Sequence, residues 1–328
     1  MEILTTTTGI YPKVTSSKEV PSLRSNLHKF DREEITADEL ENVIQANIKR
    51  AVTEQSEAGI DLPTDGLIRW TDLFSPFVAA PSTGSGQGWD GLTRRGIHRF
   101  YNTNTLYGEP VLEGDELTHD LKYNPSKTLE DFKFALTLNE NVKATLPGVF
   151  TFAQACLNRL KTPQKIIDEI KKNLLLEAKA LVAAGAKMIE IHEPELGWGQ
   201  LELPAKEIIR VYKEFGELPA KIIVTSYFRN FSQGVASALI DAGCGVGIDF
   251  SQPVAINSLP EGAILQAGVV DSRETKLESS EDLMAKKSEI LEKFGNAAEI
   301  IFSTSSHVEY LPHGKALEKI ALLKNLKS

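Results

Sequence analysis

The chain has 328 residues, of which 41% are hydrophobic and 25% are charged, and its formal net charge is −9. These values are typical of a globular protein with a sizeable core, and the acidic balance argues against binding to nucleic acid or to anionic membranes. The sequence has neither a transmembrane-length apolar run nor a signal peptide, and its two cysteines, Cys156 and Cys244, form no disulfide framework or thiolate cluster, so we expect a cytoplasmic protein.

Short apolar runs alternate with stretches of helical periodicity along the chain. The runs expected to form strands are residues 3–8, 60–64, 142–146, 188–191, 222–225, 246–250, 264–269 and 299–303. The clearest helices are expected at residues 36–58, 163–184, 204–215, 231–242, 280–294 and 314–326. Alternation of this kind predicts a parallel sheet, and eight strand–helix units close a barrel. We therefore expect one α/β domain over residues 1–328, a (β/α)8 TIM barrel, with an open doubly wound sheet as the alternative.

A long insertion, residues 77–113, separates the expected second and third strands. Residues 77–91 are rich in glycine and serine and indicate a mobile loop, whereas residues 97–113 have the aromatic and β-branched content of a hairpin. Long insertions in compact folds are usually functional. Because this one follows a strand, we expect it to lie at the mouth of a pocket.

The expected strand at residues 188–191 delivers His192 and Glu193 to its carboxyl end, where ligands bind in parallel α/β folds. These two residues have the chemistry of a general acid and base, or of a pair of metal ligands. Adjacent strand residues point to opposite faces, so only one of the two should face the barrel axis. The alternative for Glu193 is an ion pair between the strand and a helix.

Asp65 and Arg69 follow the second expected strand. A guanidinium matches a substrate carboxylate in planar geometry, and Asp65 has the charge to hold an amine. The alternative is that the two residues form a salt bridge with each other at the barrel rim.

Polar residues also follow four successive later strands. They are Thr225, Ser226, Tyr227, Asp249, Asp271, Arg273, Ser305, Ser306 and His307. Such a cluster beside an apolar barrel indicates a site. His192, Asp249 and His307 are of the types that ligate zinc, but no H-x-x-x-H or C-x-x-C spacing supports a metal site. Gly9 either offers backbone N–H groups to an anion or forms a tight turn.

Seven segments carry a family resemblance over nearly the whole chain. They read TGIYPKVTSSKEV, AGIDLPTDGLIRWTD, TLPGVFTF, IEIHEPELG, SYFRNFSQGVASALIDAGCGVGIDF, LPEGAILQAGVVDSR and STSSHVEYLP. The chain resembles the cobalamin-independent methionine synthases, which transfer a methyl group from 5-methyltetrahydropteroyl-oligoglutamate to homocysteine using two (β/α)8 barrels. Tyr227 and Phe228, with the LPEG and AGVVD-R segments, make the likeness closer to the family's N-terminal barrel than to its catalytic one.

The resemblance also implies where the chain departs from the family. In the catalytic barrel a His-x-Cys pair, a glutamate and a cysteine hold zinc, and the corresponding residues here are Thr225 and Tyr227, Asp249, and Ser305. A neutral hydroxyl does not replace a thiolate or an imidazole. We therefore expect no metal or cofactor on this chain. The ammonium-binding aspartate of the family's IDEP motif corresponds to His192, and the pterin-stacking tryptophan corresponds to Ala155.

The start of the chain resembles the segment that contacts the oligoglutamate tail of the folate in the family's N-terminal barrel. It aligns with Lys18 and Glu19, with Lys13 nearby, and lysines suit a flexible polyanion. At one position where the family has a further lysine, this sequence has Pro21. The alternative is a pair of solvated lysines in a loop.

We thus expect an N-terminal-barrel-like component of a methyltransferase in methionine biosynthesis. It would act with a separate zinc-bearing catalytic barrel, its partner, in methyl transfer from a folate-like donor to homocysteine. The alternatives are an independent barrel enzyme acting on a small anionic substrate, and a purely structural subunit. No residue is assigned a catalytic role. The candidate substrate-binding residues are Lys13, Lys18, Glu19, Asp65, Arg69, His192, Glu193, Tyr227, Asp249, Asp271, Arg273 and His307.

Overall fold

A computed structural model describes residues 1–15, 19–78, 88–103, 105–112, 121–156 and 163–327. Nine strands occur in this part of the chain. In chain order they are β1 (Glu2–Thr6), β2 (Leu92–Arg99), β3 (Leu106–Leu112), β4 (Ala144–Pro147), β5 (Met188–His192), β6 (Lys221–Thr225), β7 (Gly245–Asp249), β8 (Ile264–Val270) and β9 (Glu299–Thr304). Seven of them form one parallel sheet in the order β1-β9-β8-β7-β6-β5-β4, and β2 and β3 form an antiparallel hairpin.

The eighth barrel position is filled by residues 60–64, which we expected to form a strand. This segment bridges to β1 between Thr6 and Leu62, and the Leu62 N–H donates to the Thr5 carbonyl at 3.0 Å. On its other side the Lys143 N–H, just before β4, donates to the Pro63 carbonyl at 2.9 Å. Pro63 has no N–H to give to a ladder, so regular pairing is interrupted there. The predicted (β/α)8 TIM-barrel fold is confirmed.

Helices follow most of the strands and cover the outside of the barrel. They are α1 (Leu23–Asp31), α2 (Ala37–Glu57), α3 (Lys127–Leu136), α4 (Val149–Cys156), α5 (Pro163–Ala183), α6 (Glu195–Trp198), α7 (Ala205–Gly216), α8 (Gln233–Asp241), α9 (Ser280–Phe294) and α10 (His313–Leu322). The six expected helices all form, although the last continues as a 3-10 turn, Leu323–Leu326. No helix in the described ranges is long and apolar enough to cross a membrane.

The inside of the barrel is layered. Its lowest layer, at the amino ends of the strands, is apolar and consists of Leu4, Leu62, Met188, Ile223 and Ile301. Met188 begins β5, and Glu190 and His192 follow it on the same face because side chains alternate along a strand. The apolar layer therefore closes the bottom of the barrel, and a polar interior lies above it.

The insertion after residue 64 packs over the carboxyl ends of the strands. The predicted hairpin is confirmed, although β2 begins at Leu92 rather than near residue 97. Phe77 and Trp89, at the two ends of the expected mobile loop, are buried with ring centroids 5.3 Å apart, so these ends belong to the core. Residues 79–87 lie outside the described part of the chain. The Tyr101 hydroxyl, just after β2, donates to Glu195 Oε2 at 2.9 Å and ties the hairpin to α6.

Candidate functional site

A buried polar network fills the centre of the barrel above the apolar layer. Lys143 Nζ forms an ion pair with Glu190, and both side chains are fully buried. Gln266 Nε2 donates to Glu190 Oε1 at 2.7 Å and to Thr8 Oγ1 at 3.1 Å. Burial alone would raise the pKa of Glu190, but Lys143 and the neighbouring His192 lower that pKa well below its usual range. Glu190 is therefore ionised at the base of the site.

Three rings lie above this network. His192 Nε2 lies 3.5 Å from Glu190 Oε2, and the His192 ring contacts Tyr227 and His307 at centroid distances of 5.4 and 5.6 Å. Tyr227 and His307 are 5.0 Å apart, so the three rings contact one another. Gly9 has a φ of +71°, and a Cβ there would lie 2.7 Å from the His307 ring. The tight turn that we considered for Gly9 thus lets the backbone approach this ring closely.

One hydrogen bond of His307 indicates its tautomer. The Ile10 N–H donates to His307 Nδ1 at 3.4 Å, so Nδ1 carries no proton. Burial, together with nearby His192, lowers the pKa of His307 well below its usual range and keeps the ring neutral. The ring proton is therefore on Nε2, which is buried and has no hydrogen-bond partner among the described residues. Both nitrogens of His192 are also buried without such a partner.

A small pocket lies over these rings, beneath the hairpin. Its volume is about 30 Å³, which is room for about one water molecule. Apolar and aromatic side chains form most of its wall, and carboxylates of Asp72 and Glu309 contribute to it. Tyr310 stacks on His307 at a centroid distance of 5.6 Å, and its hydroxyl lies 3.2 Å from Thr105 Oγ1 in the turn of the hairpin. The hairpin therefore covers part of the pocket.

A second polar cluster lies beside the rings, at the ends of β7 and β8. Arg273 Nε is 2.9 Å from Asp271 Oδ1, and its Nη1 is 3.5 Å from Asp249 Oδ2. Burial would raise the pKa of Asp271, but Arg273 lowers it below its usual range. Burial raises the pKa of Asp249. The guanidinium of Arg273, a candidate substrate-binding residue, is therefore engaged by two carboxylates of the protein.

Glu193 points away from the barrel axis, opposite to His192, as strand alternation predicts. Its carboxylate accepts hydrogen bonds from the N–H groups of Phe150, at 2.9 Å, and Thr151, at 2.6 Å, and from the hydroxyl of Tyr212. Glu193 therefore caps the N-terminus of α4, where unpaired N–H groups favour an anion. The expected strand–helix contact exists, but as a helix cap instead of an ion pair. Burial raises the pKa of Glu193 to about 7.

Arg69 belongs to a buried ion-pair network that links three elements. Its Nε and Nη2 donate to the two oxygens of Asp131 on α3, at 2.9 and 2.7 Å, and Nη2 also contacts Glu41 on α2 at 2.9 Å. Asp65 Oδ1 accepts from the Leu67 N–H at 2.9 Å. Arg69 thus links α2 and α3 to the loop after residue 64, and carboxylates of the protein occupy its guanidinium group.

Of the candidate residues at the start of the chain, Lys13 lies beside Glu309, a wall residue of the pocket over His307. Lys13 Nζ donates to the Trp70 carbonyl and is 3.7 Å from Glu309 Oε2, so its charge is partly compensated within the protein. Glu19 is exposed. Lys18 lies outside the described residues. The oligoglutamate contact expected of these three residues stays a prediction.

The residues at the zinc-ligand positions of the family do not fit a zinc ion. Asp249 Oδ1 accepts from the Ser251 N–H at 2.9 Å, and its other oxygen faces Arg273. Ser305 Oγ lies 3.4 Å from Asp271 Oδ1, and the Thr225 hydroxyl fills the space beside Gly247. Within the ranges that the structure describes, no three His, Cys, Asp or Glu side chains are arranged to hold a metal.

Comparison with known proteins identifies the family. The family model described as the N-terminal domain of cobalamin-independent synthase matches residues 85–295. The chain belongs to this family. The 5-methyltetrahydropteroyltriglutamate–homocysteine methyltransferase of Lactococcus lactis strain IL1403 is 24% identical over 332 residues, covering 92% of this chain and 42% of that protein. The methionine synthase of Sulfolobus acidocaldarius is 27% identical over 195 residues, covering 58% of this chain and 52% of that protein.

These relatives are longer than the chain, which spans about half of their length or less. Among solved structures, a B12-independent methionine synthase from Shewanella sp. W3-18-1, in complex with selenomethionine, superposes with a TM-score of 0.76. That match has 17% identity over 99% of this chain and 96% of the other. A methyltransferase from Methanosarcina mazei superposes with a TM-score of 0.54 at 13% identity, covering 97% of this chain and 93% of that one. Both likenesses concern the fold.

Sequence reasoning missed several residues of the cluster. Glu190 precedes His192 by two residues, so alternation already placed both on one strand face, and Lys143 lies inside the run of residues 142–146. A charge inside an apolar strand calls for a partner, which was the available signal. Glu309 and Tyr310 follow His307 directly, but no pattern in the sequence distinguishes them from ordinary loop residues.

Proposed function

We propose that this chain is the N-terminal-type barrel of a methionine synthase system. It would work with a separate zinc-bearing barrel in methyl transfer from a methylated folate or related donor to homocysteine. The proposal rests on one observation: in this member of the N-terminal-domain family, the residues at the strand ends do not form a zinc site. The positions of the zinc ligands hold three neutral hydroxyls and an aspartate; Asp249 Oδ1 accepts from the Ser251 N–H at 2.9 Å, and Ser305 Oγ lies 3.4 Å from Asp271 Oδ1.

The chemistry of thiol activation supports these separate roles for the two barrels. A homocysteine thiol attacks a methyl donor as a thiolate, and neutral hydroxyl groups do not lower a thiol's pKa. Arg273 pairs with Asp271 at 2.9 Å and lies 3.5 Å from Asp249, so its guanidinium is not available to hold a substrate without breaking these contacts. The proposal therefore assigns activation of homocysteine to the partner barrel. It assigns to this chain support of that barrel and a share in binding the methyl donor.

The experiment is co-purification from the chain's own cells. The tagged chain is isolated, bound proteins are identified by mass spectrometry, and methyl transfer to homocysteine is assayed for the bound fraction with and without the chain. We expect a zinc-containing barrel protein whose turnover rises when the chain is added. A catalytic barrel that neither binds the chain nor changes its turnover contradicts the proposal.

The buried ring cluster favours a second candidate function. His307 Nε2 and His192 Nδ1 are buried without a hydrogen-bond partner in the described part of the chain, beside a small pocket, which is an arrangement typical of a binding or catalytic site. In this case the chain is an enzyme in its own right. Turnover or ligand binding by the purified chain alone distinguishes this candidate from the first.

A further inference from the structure

The pocket over His307 offers one directed hydrogen-bond donor. The Ile10 N–H occupies Nδ1, so the neutral ring presents its remaining N–H at Nε2. That atom is buried and has no hydrogen-bond partner among the described residues. A buried donor without a partner is costly, and an acceptor on a ligand would remove that cost. Stacking by Tyr310 and contact with Gly9 hold the ring in place.

The charges around the pocket disfavour an anion. Asp72 and Glu309 both contribute to the wall. Glu309 Oε2 lies 3.7 Å from Lys13 Nζ, which also donates to the Trp70 carbonyl. An anionic ligand would therefore face two carboxylates. Asp72 is saturated, since Arg94 and the Gly108 N–H donate to its Oδ2 at 2.6 and 3.0 Å. Lys13 pairs with Oε2 of Glu309, so Glu309 Oε1 is left as the acceptor available to a ligand N–H.

Most of the remaining wall is aromatic or aliphatic. Phe100, Tyr107 and Tyr310 contribute rings, and Leu73 and Ile10 contribute aliphatic surface. Such walls suit a planar body, and one donor and one acceptor fix its orientation. An amide has this complement of groups, because its carbonyl accepts and its N–H donates.

We propose that this pocket binds a compact neutral amide or lactam, whose carbonyl oxygen accepts from His307 Nε2 and whose N–H faces Glu309. The inference rests on the pocket alone and is independent of the methyl-transfer proposal. Since the cavity is only about 30 Å³, the hairpin turn at Thr105 must move to admit a ligand ring. The contact at 3.2 Å between the Thr105 and Tyr310 hydroxyls is the first that would break.

The test is a binding titration of the full chain with benzamide, followed by saturation-transfer NMR. N,N-Dimethylbenzamide keeps the carbonyl but lacks the N–H, and benzoate carries a charge, so each probes one part of the inference. We expect benzamide to bind more tightly than either. His307→Phe keeps the stacked ring but removes the donor, and it should weaken benzamide binding by about threefold to tenfold. His28→Phe, the matched control on α1, should leave binding unchanged.

A second measurement covers the case in which His307→Phe fails to fold. The ¹⁵N shifts of the His307 ring in the unsubstituted chain report its tautomer, and they should show a protonated Nε2 that shifts when benzamide is added. A protonated Nδ1, absence of benzamide binding, or equal affinity for benzamide and benzoate overturns the inference. Because neither zinc nor homocysteine is present, such a failure leaves the methyl-transfer proposal unaffected.

Discussion

The ion pair at the centre of the barrel makes a sharp prediction about stability. Lys143→Met would leave the Glu190 carboxylate buried in the barrel without its cation, because both side chains are inaccessible to solvent. Removing one partner of a buried pair costs about 3–5 kcal/mol, so we expect that loss in the free energy of unfolding. Glu190→Gln keeps an acceptor for Gln266 but leaves the ammonium unpaired, and it should cost a similar amount. The assay is urea-induced unfolding followed by circular dichroism.

The double variant tests the reasoning. With Lys143→Met and Glu190→Gln combined, no uncompensated charge remains, so the loss should be smaller than the sum of the single losses by about 2 kcal/mol or more. The pH dependence provides a second check. The depressed pKa of Glu190 means that its stabilising contribution is present above pH 4.5 and is lost as the pH falls through the folded pKa. In Lys143→Met the unpaired carboxylate should reverse this trend, and additive losses with an unchanged pH profile would refute the argument.

Two further substitutions test the loop after residue 64. Burial, followed by the nearby charge of Asp131, raises the pKa of Asp65 from 3.8 to about 7, so its contribution to stability is full below pH 3.8 and is lost as the pH rises through 7. Asp65→Asn keeps the acceptor for the Leu67 N–H and should raise the free energy of unfolding at pH 8 by about 1–3 kcal/mol, with little change at pH 4. Thermal melts between pH 4 and pH 8 measure this difference. A loss of stability at pH 8 would contradict the prediction. Arg69→Lys loses the two-pronged contact with Asp131 and should cost about 1–3 kcal/mol in urea unfolding. The exposed control, Arg210→Lys, should cost under about 1 kcal/mol, and equal losses for the two variants would contradict the buried-network account.

The strands were predictable because each is a short apolar run between helices. Residues 60–64 are the instructive exception, since Pro63 removes a ladder donor and leaves a segment that fills the eighth position with few hydrogen bonds. The hairpin was predictable from its composition. The burial of Phe77 and Trp89 was not, because it depends on rings from distant parts of the chain, such as Phe152.

The sequence located the residues of the site better than it indicated which residues they would contact. Strand ends located His192, Tyr227 and His307, and these do contact one another. The partners of Arg69 lie on α2 and α3, 28 and 62 residues away in sequence. Such long-range pairing leaves no local pattern in the sequence. Arg69, which resembled a residue that binds a substrate carboxylate, therefore proves to link α2 and α3 to the loop.

The most direct test of the central claim is a homocysteine titration of the purified chain, with and without added zinc, alongside elemental analysis of the same sample. The account predicts substoichiometric zinc in the purified chain and no homocysteine binding under either condition. One zinc ion per chain, with homocysteine binding that depends on it, would contradict the assignment of thiol activation to a partner barrel. The chain would then be a zinc enzyme in its own right.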